Sequence, residues 1–387
     1  MGSTCRLKTG TVFKFIDYII GILYWHNSAE GGIKMDIQEL LTRAREEKAS
    51  DLHITVGKPP IVRVNGDLME LAEYSPLLPE QTERIISAML TEDRLNTFNK
   101  KGEVDFSFVM PGGRFRVNAY RQRGSFAVAI RLLVQEIPTL EQLHMPECLK
   151  TLSMKQRGLV LLTGPTGSGK STTLAAMVNY INQNRRAHVI TIEDPIEYLH
   201  RHNQSIINQR EIGEDTGSFA AALRASLRED PDVILVGEMR DVETVSAAVT
   251  AAETGHLVLS TLHTNGAANT VDRIIDVFPP HQQQQIRIQT ASILEGVITQ
   301  QLIPVADGKG RVAALEIMLA TDAIANLVRE GKTHQINSCI QTGVSMGMQP
   351  MDFHLAKLVK SGIITKEMAY IRTMDAENLK RYLASSM

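Results

Sequence analysis

Gly164-Pro165-Thr166-Gly167-Ser168-Gly169-Lys170-Ser171 has the spacing G-x-x-x-x-G-K-[ST], and its flanks decide what that spacing means. Before it, Leu159-Val160-Leu161-Leu162 is a continuous apolar run of strand length. After it, Leu174, Met177, Val178 and Ile181 recur at helical spacing. Strand, glycine-rich turn and helix in that order make a phosphate-binding loop. The glycines let backbone N–H groups curl around an anion, and the helix N-terminus adds its dipole. Gly164, Pro165, Thr166, Gly167, Ser168, Gly169, Lys170, Ser171 and Thr172 are therefore expected to hold a nucleoside triphosphate. Lys170 is placed to reach the β and γ phosphates, and Ser171 to ligate Mg2+.

Strand and helix signals continue to alternate around the loop, from Gly158 to about Ile317. Apolar runs at Leu159–Thr163, His188–Ile192, Val233–Val236 and Leu257–Ser260 are separated by helical stretches, which predicts an α/β fold with a right-handed, mostly parallel sheet. Residues 310–317 read as an added edge strand. Upstream, Ile37, Leu40, Leu41 and Ala44 mark an amphipathic helix, followed by short strands around 51–56 and 61–64 about an Asn65-Gly66 turn. A helix over 79–95 and strands over 104–110, 114–121 and 126–133 complete a small α+β domain, with Pro111-Gly112-Gly113 as a turn. Downstream of Asp322 the pattern is helical throughout. The expected organisation is a smaller domain over 35–137, a linker over 138–151 containing Pro138 and Pro146, an ATPase domain over 152–320 and a C-terminal helical region over 321–387.

Residues 1–34 read as a leader or upstream extension outside the fold. Val12–Trp25 is apolar apart from Lys14 and Asp17, but about 14 residues fall short of the roughly 20 needed to span a bilayer. An interfacial helix presenting Phe13, Ile16, Ile20 and Leu23 is the alternative.

Composition narrows the function classes. The chain has 387 residues, 43% hydrophobic and 22% charged, which is ordinary for a globular protein of two or three domains. A net charge of -2 gives no general basic field for nucleic acid, and aromatics at 5% provide few stacking platforms, so no specific nucleic-acid partner is expected. Cys5, Cys148 and Cys339 are odd in number and far apart, a pattern of neither disulfides nor zinc, which suits a reducing cytosol.

Three further polar clusters follow strands, where α/β enzymes place their chemistry. Glu193-Asp194-Pro195-Ile196-Glu197 follows Ile192; as a pair of acids it is either a catalytic loop or ordinary solvation. Val233-Ile234-Leu235-Val236-Gly237-Glu238 is an apolar strand ending in an acid. Gly237 occupies the position of the usual Mg2+-directing Asp, while Glu238 is available as a general base. Ser260-Thr261-Leu262-His263-Thr264-Asn265 places an imidazole after the next strand, as a γ-phosphate sensor or as a structural group.

In this order, GPTGSGKST, ITIEDPIEY, LREDPDVILVGEMRD and STLHTNGA resemble the Walker A, Asp box, Walker B and His box of the secretion-superfamily ATPases. The resemblance runs from about Met35 to Leu383 and is strongest to the type IV pilus retraction branch. No four-cysteine zinc module follows the His box, so no zinc is implied. Ala323–Glu330 resembles that branch's AIRNLIRE motif, with Ala325 in place of Arg and Val328 in place of Ile. The resemblance implies a PAS-like N-terminal domain, a RecA-like P-loop ATPase domain and C-terminal helices. It also implies a homohexamer, cytoplasmic and peripherally associated with the inner membrane at a pilus platform protein. By the same resemblance, Glu238 activates water, Glu193 and His263 assist, and Arg116 and Arg131, with Arg114 a weaker candidate, bring guanidinium charge to ATP. A nucleic-acid motor, a DNA-uptake or accessory pilus ATPase and a non-hydrolysing regulatory subunit are the competing readings.

Overall fold

The structure is a computed structural model, and it describes residues 36–64, 66–110, 113–133, 136–308 and 310–385. The stretch over 1–34 expected as a leader, Asn65 and most of the Pro111-Gly112-Gly113 turn lie outside the described residues.

Two sheets organise the chain. The first has strands β1 (Asp51–Ile54), β2 (Ile61–Val64), β3 (Asp67–Glu70), β4 (Glu103–Met110), β5 (Gly113–Gln122) and β6 (Ser125–Leu132) in the order β3-β2-β1-β6-β5-β4. The opening amphipathic helix, Ile37–Glu46, buries the four predicted residues Ile37, Leu40, Leu41 and Ala44, and Asp36 caps it by accepting from the N–H of Gln38. The stretch expected as one helix over 79–95 is two, Pro79–Ser87 and Glu92–Lys101. Thr91 stands between them and accepts from the N–H of Arg94, so a cap starts the second helix where apolar spacing alone suggests continuation.

The second sheet has β7 (Gly158–Thr163), β8 (His188–Glu193), β9 (Ile206–Glu211), β10 (Val233–Val236), β11 (Leu257–Leu262), β12 (Leu294–Pro304) and β13 (Arg311–Leu319), in the order β13-β12-β7-β11-β10-β8-β9. All neighbours are parallel except β12 and β13. β7, β10 and β11 are buried along their whole length, as expected for parallel strands covered on both faces. On one face Leu159, Leu161, Ile190, Ile192, Ile234 and Val236 pack with Val245, Ala248, Val271 and Ile275 of helices Val242–Glu253 and Ala267–Asp276. On the other, Val160, Leu162, Val189 and Leu235 pack with Leu174, Met177, Val178 and Ile181 of helix Lys170–Asn184. Each of the Leu, Ile, Val and Met side chains contributes roughly 1.5–3 kcal/mol by burial, enough to fix the frame from which the strand-end loops project.

Within the segment expected as a linker and just past it, a short helix, Cys148–Ser153, buries Leu149 and Leu152 in that same core. The C-terminal helices include Asp322–Arg329, Ile336–Thr342, Met351–Lys360, Lys366–Arg372 and Ala376–Ala384. Ile324 and Val328 join the first face of the sheet, whereas Leu355, Ile364 and Leu379 form a separate cluster with Ile303 and Ala314.

The chain divides into two compact units. The first holds the described residues from Asp36 to Asp105 together with Val117–Arg131. The second holds Phe106–Arg116 and the described residues from Leu132 onward, so the end of β4 and the start of β5 belong with the second unit.

Candidate functional site

β7 delivers the phosphate-binding loop, and the loop is held tightly. At Gly164, with φ +134°, an added Cβ would stand 2.2 Å from the carbonyl oxygen of Gln300. At Gly169, with φ +87°, it would stand 2.8 Å from Gln300 Nε2. Only glycine fits either position. Gln300, on β12, is 2% exposed and clamps the loop: its Nε2 donates to the Ser168 carbonyl at 2.7 Å, and its Oε1 accepts from Thr173 Oγ1 at 2.9 Å. Nothing in the local sequence marks this glutamine. Lys170 Nζ donates to the carbonyls of Gly164 and Pro165 at 2.8 and 3.1 Å. Burial lowers the Lys170 pKa, opposed by the carboxylates of Glu238 and Glu197.

Thr166 to Thr172 line a cleft of about 600 Å³ in the second compact unit, together with Glu193, Glu238, His263 and Arg116. The acids and the imidazole arrive from the carboxyl ends of β8, β10 and β11, as the strand pattern implies. Glu238 is bracketed: Arg240 Nε lies 2.6 Å from Oε1, and His263 Nε2 lies 3.6 Å from Oε2. The other ring nitrogen of His263 is 3.5 Å from Thr166 Oγ1, so the imidazole stands between the Walker B acid and the phosphate loop. The strand ends that carry these groups are tied together. Ser260 Oγ donates to the carbonyl of Val236 at 2.8 Å, and Thr261 Oγ1 to that of Gly237 at 2.6 Å. Asp241 caps the next helix, accepting from the Thr244 N–H at 2.8 Å.

Glu193 accepts from Thr191 Oγ1 at 2.6 Å and from Gln209 Nε2 at 3.1 Å. Burial pushes its carboxyl above the ordinary range, and those two hydrogen bonds pull the other way. Gly237 leaves little room for a larger residue: a Cβ there would lie 3.2 Å from the Ile192 carbonyl and 3.5 Å from Glu193 Cα. The missing Walker B aspartate is thus matched by the crowding of the strand end.

The predicted arginines separate. Arg116 lines the cleft. Arg131 lies in the first compact unit, 64% exposed, with Nε 3.0 Å from Asp51 Oδ1. Arg114 is committed to Glu211, a buried carboxylate at the end of β9. The cleft also has lining residues outside the four motifs, notably Leu302 and Arg311 from β12 and β13. Their separation from the motifs in sequence hides them.

Over residues 26–384 the sequence matches the type II/IV secretion system protein family. The chain belongs to that family. Among members of the type II/IV secretion system family, it is 49% identical over 345 residues to the Pseudomonas aeruginosa protein named type IV pilus retractation ATPase PilT, covering 89% of this chain and 100% of that relative. It is 43% identical over 347 residues to the type IV pilus ATPase PilU of the same species, covering 89% and 91%. A crystal structure of the pilus retraction motor PilT with bound ADP matches with a TM-score of 0.85 at 50% identity, covering 90% of this chain and 100% of that one. The family's P-loop thus sits in this chain on the same α/β framework as in a nucleotide-bound relative, with an N-terminal domain before it and helices after it.

Proposed function

We propose that this chain is an ATP-hydrolysing motor for type IV pilus retraction. The observation that carries the reading is the cleft in which the phosphate loop, Glu193, Glu238, His263 and Arg116 converge, in a chain matched along the whole length of a pilus retraction ATPase. Thr166 to Thr172 bind the triphosphate, with the carbonyls of Gly164 and Pro165 holding Lys170 until phosphate replaces them. Glu238 takes the proton from the attacking water. His263, set between Glu238 and Thr166, senses the terminal phosphate, and Glu193 orients the water or the ion shell. Arg116, joined by Arg131, neutralises charge that develops on the transferred phosphoryl group.

The donor set fits a magnesium ion held by phosphate oxygens: the Ser171 hydroxyl lines the cleft, and Gly237 removes the direct carboxylate. Bound there, magnesium would neutralise charge on the β and γ oxygens. The reading includes no zinc and no specific nucleic acid. It places a PAS-like domain over 35–137, the RecA-like ATPase domain over 152–320 and a homohexamer at the cytoplasmic face of the inner membrane, on a pilus platform protein. Among the described residues no helix is long and apolar enough to cross a membrane.

The 43% identity to a second type IV pilus ATPase, PilU, together with Ala325 in the C-terminal motif, keeps another motor of the family, an accessory pilus or DNA-uptake ATPase, as the second reading. Deleting the gene in its host tests both. Loss of twitching with pili still on the surface, restored by the wild-type chain and not by Lys170→Ala, is the expected result. Unchanged twitching after deletion overturns retraction, and partial loss points to the accessory role.

A further inference from the structure

We propose that Glu211 is a positioning residue that fixes Arg116 over the nucleotide cleft by anchoring Arg114, its neighbour two residues back on the same strand. The inference rests on the reading of Arg116 as the charge donor to ATP. Glu211 ends the edge strand β9 and is 4% exposed. Its carboxylate receives Arg114 Nη2, Ser107 Oγ at 2.5 Å and the backbone N–H of Ile196 at 3.0 Å. One carboxylate thus joins the β4–β5 hairpin tip to the loop that follows Glu193, and in the parallel register Glu211 stands beside Glu193 itself.

Every participant belongs to the second compact unit. Side chains two apart on a strand point to the same face, about 7 Å along it at roughly 3.3 Å per residue. Holding Arg114 therefore sets where Arg116 projects. The pair is nearly closed to water, with the side chains of Arg114 and Glu211 14% and 5% exposed, so it is screened little by salt and does not break and remake like a surface pair. A guanidinium that stabilises charge in the transition state loses its effect when displaced by about 1 Å, so the anchor acts on turnover more than on binding. Gln209, two residues before Glu211 on β9, donates to Glu193, so the same edge strand steadies both an acid and an arginine of the cleft.

The test is a double-mutant cycle on the full chain. Glu211→Gln keeps groups that can bond to Ser107 and Ile196 but removes the charge; Arg114→Gln removes the same pair from the other side. Each is expected to lower kcat about tenfold with the KM for ATP within about threefold of wild type. In an Arg116→Ala background neither should lower kcat further. Melting curves establish that each variant is folded at the assay temperature, and Glu211→Asp, which retains the charge, should recover part of the lost rate. Wild-type kcat in Arg114→Gln or Glu211→Gln overturns the inference, as does a tenfold loss that persists on top of Arg116→Ala. Wild-type kcat in Arg116→Ala alone instead removes the reading of Arg116 on which the inference stands.

Discussion

Gln300 Nε2 and the Ser168 carbonyl, 132 positions apart in sequence, stand 2.7 Å apart in a hydrogen bond that ties the phosphate loop to β12. With Thr173 on its other end, the amide holds both the loop and the first turn of the helix behind it. Gln300→Leu leaves a buried carbonyl and a buried hydroxyl unpaired, which costs about 1–3 kcal/mol for each group. The variant is expected to melt several degrees lower and to raise the KM for ATP, because the loop loses its preformed shape. Thermal melts with and without ADP check this: an unchanged melting temperature in both would show that the clamp does not support the loop.

Glu238 faces Arg240 on one oxygen and His263 on the other. Its neighbours hold it in place, and if Glu238 is the general base as proposed, an amide there keeps the shape while removing the base. Glu238→Gln should bind ATP with near wild-type affinity and hydrolyse it at least about 100-fold more slowly. Binding by fluorescence and turnover by phosphate release separate the two quantities. If turnover stays within a few-fold of wild type, water activation resides elsewhere, with Glu193 the first alternative.

The legible parts of this chain were those in which local pattern and tertiary role coincide. β7, β10 and β11 are uninterrupted apolar runs because both faces are buried, and the phosphate loop stands out because its glycines answer a local backbone demand. β12 is hard to read in the sequence because Thr299-Gln300-Gln301 interrupts its apolar run, and the polarity is there for distant partners: Thr299 Oγ1 meets Thr163 Oγ1 at 2.8 Å, and Gln300 holds the loop. β9 is an edge strand carrying Asn208, Gln209 and Arg210, so its sequence resembles a loop. Glu211 was invisible for the same reason as Gln300: its partner Arg114 lies 97 positions away, and no spacing rule connects them. Arg116 and Arg131, which sequence placed together, differ in what they touch, because strand register rather than composition decides where a guanidinium points.

Glu193 gives a prediction in pH. Burial raises its carboxyl pKa above the ordinary 4.5. A group whose folded pKa exceeds its unfolded value favours the fold fully below the unfolded value, and that contribution is lost as pH rises through the folded one. Above pH 4.5 ionised Glu193 therefore costs stability, and Glu193→Gln, which can still accept from Thr191, should remove that cost. The variant is expected to melt at or above the wild-type temperature at neutral pH, with the margin shrinking toward pH 4.5, while ATP turnover falls. Melting temperatures measured from pH 4.5 to 8 check the sign; a variant that grows less stable than wild type as pH rises contradicts it.

Arg116 and Arg131 give the last prediction. Arg116 already lines the cleft, so Arg116→Ala should lower turnover by about 100-fold or more while ATP affinity and melting temperature change little, the pattern of charge used in the transition state alone. Arg131 is held by Asp51, whose side chain is 15% exposed, but the Arg131 side chain is 64% exposed, and a pair open to water on that side is worth about 1 kcal/mol. That is too little to keep Arg131 from an ATP phosphate brought near it in the proposed homohexamer. Asp51→Asn should therefore leave turnover intact or raise it slightly, whereas Arg131→Ala should lower it, and only at protein concentrations where the proposed homohexamer forms. Steady-state rates for the three variants across a dilution series, with mass measured on the same samples, distinguish the roles. Equal loss in Arg131→Ala and Asp51→Asn would mean that the pair is structural, and wild-type rates in both Arg→Ala variants would remove guanidinium charge from the account of catalysis.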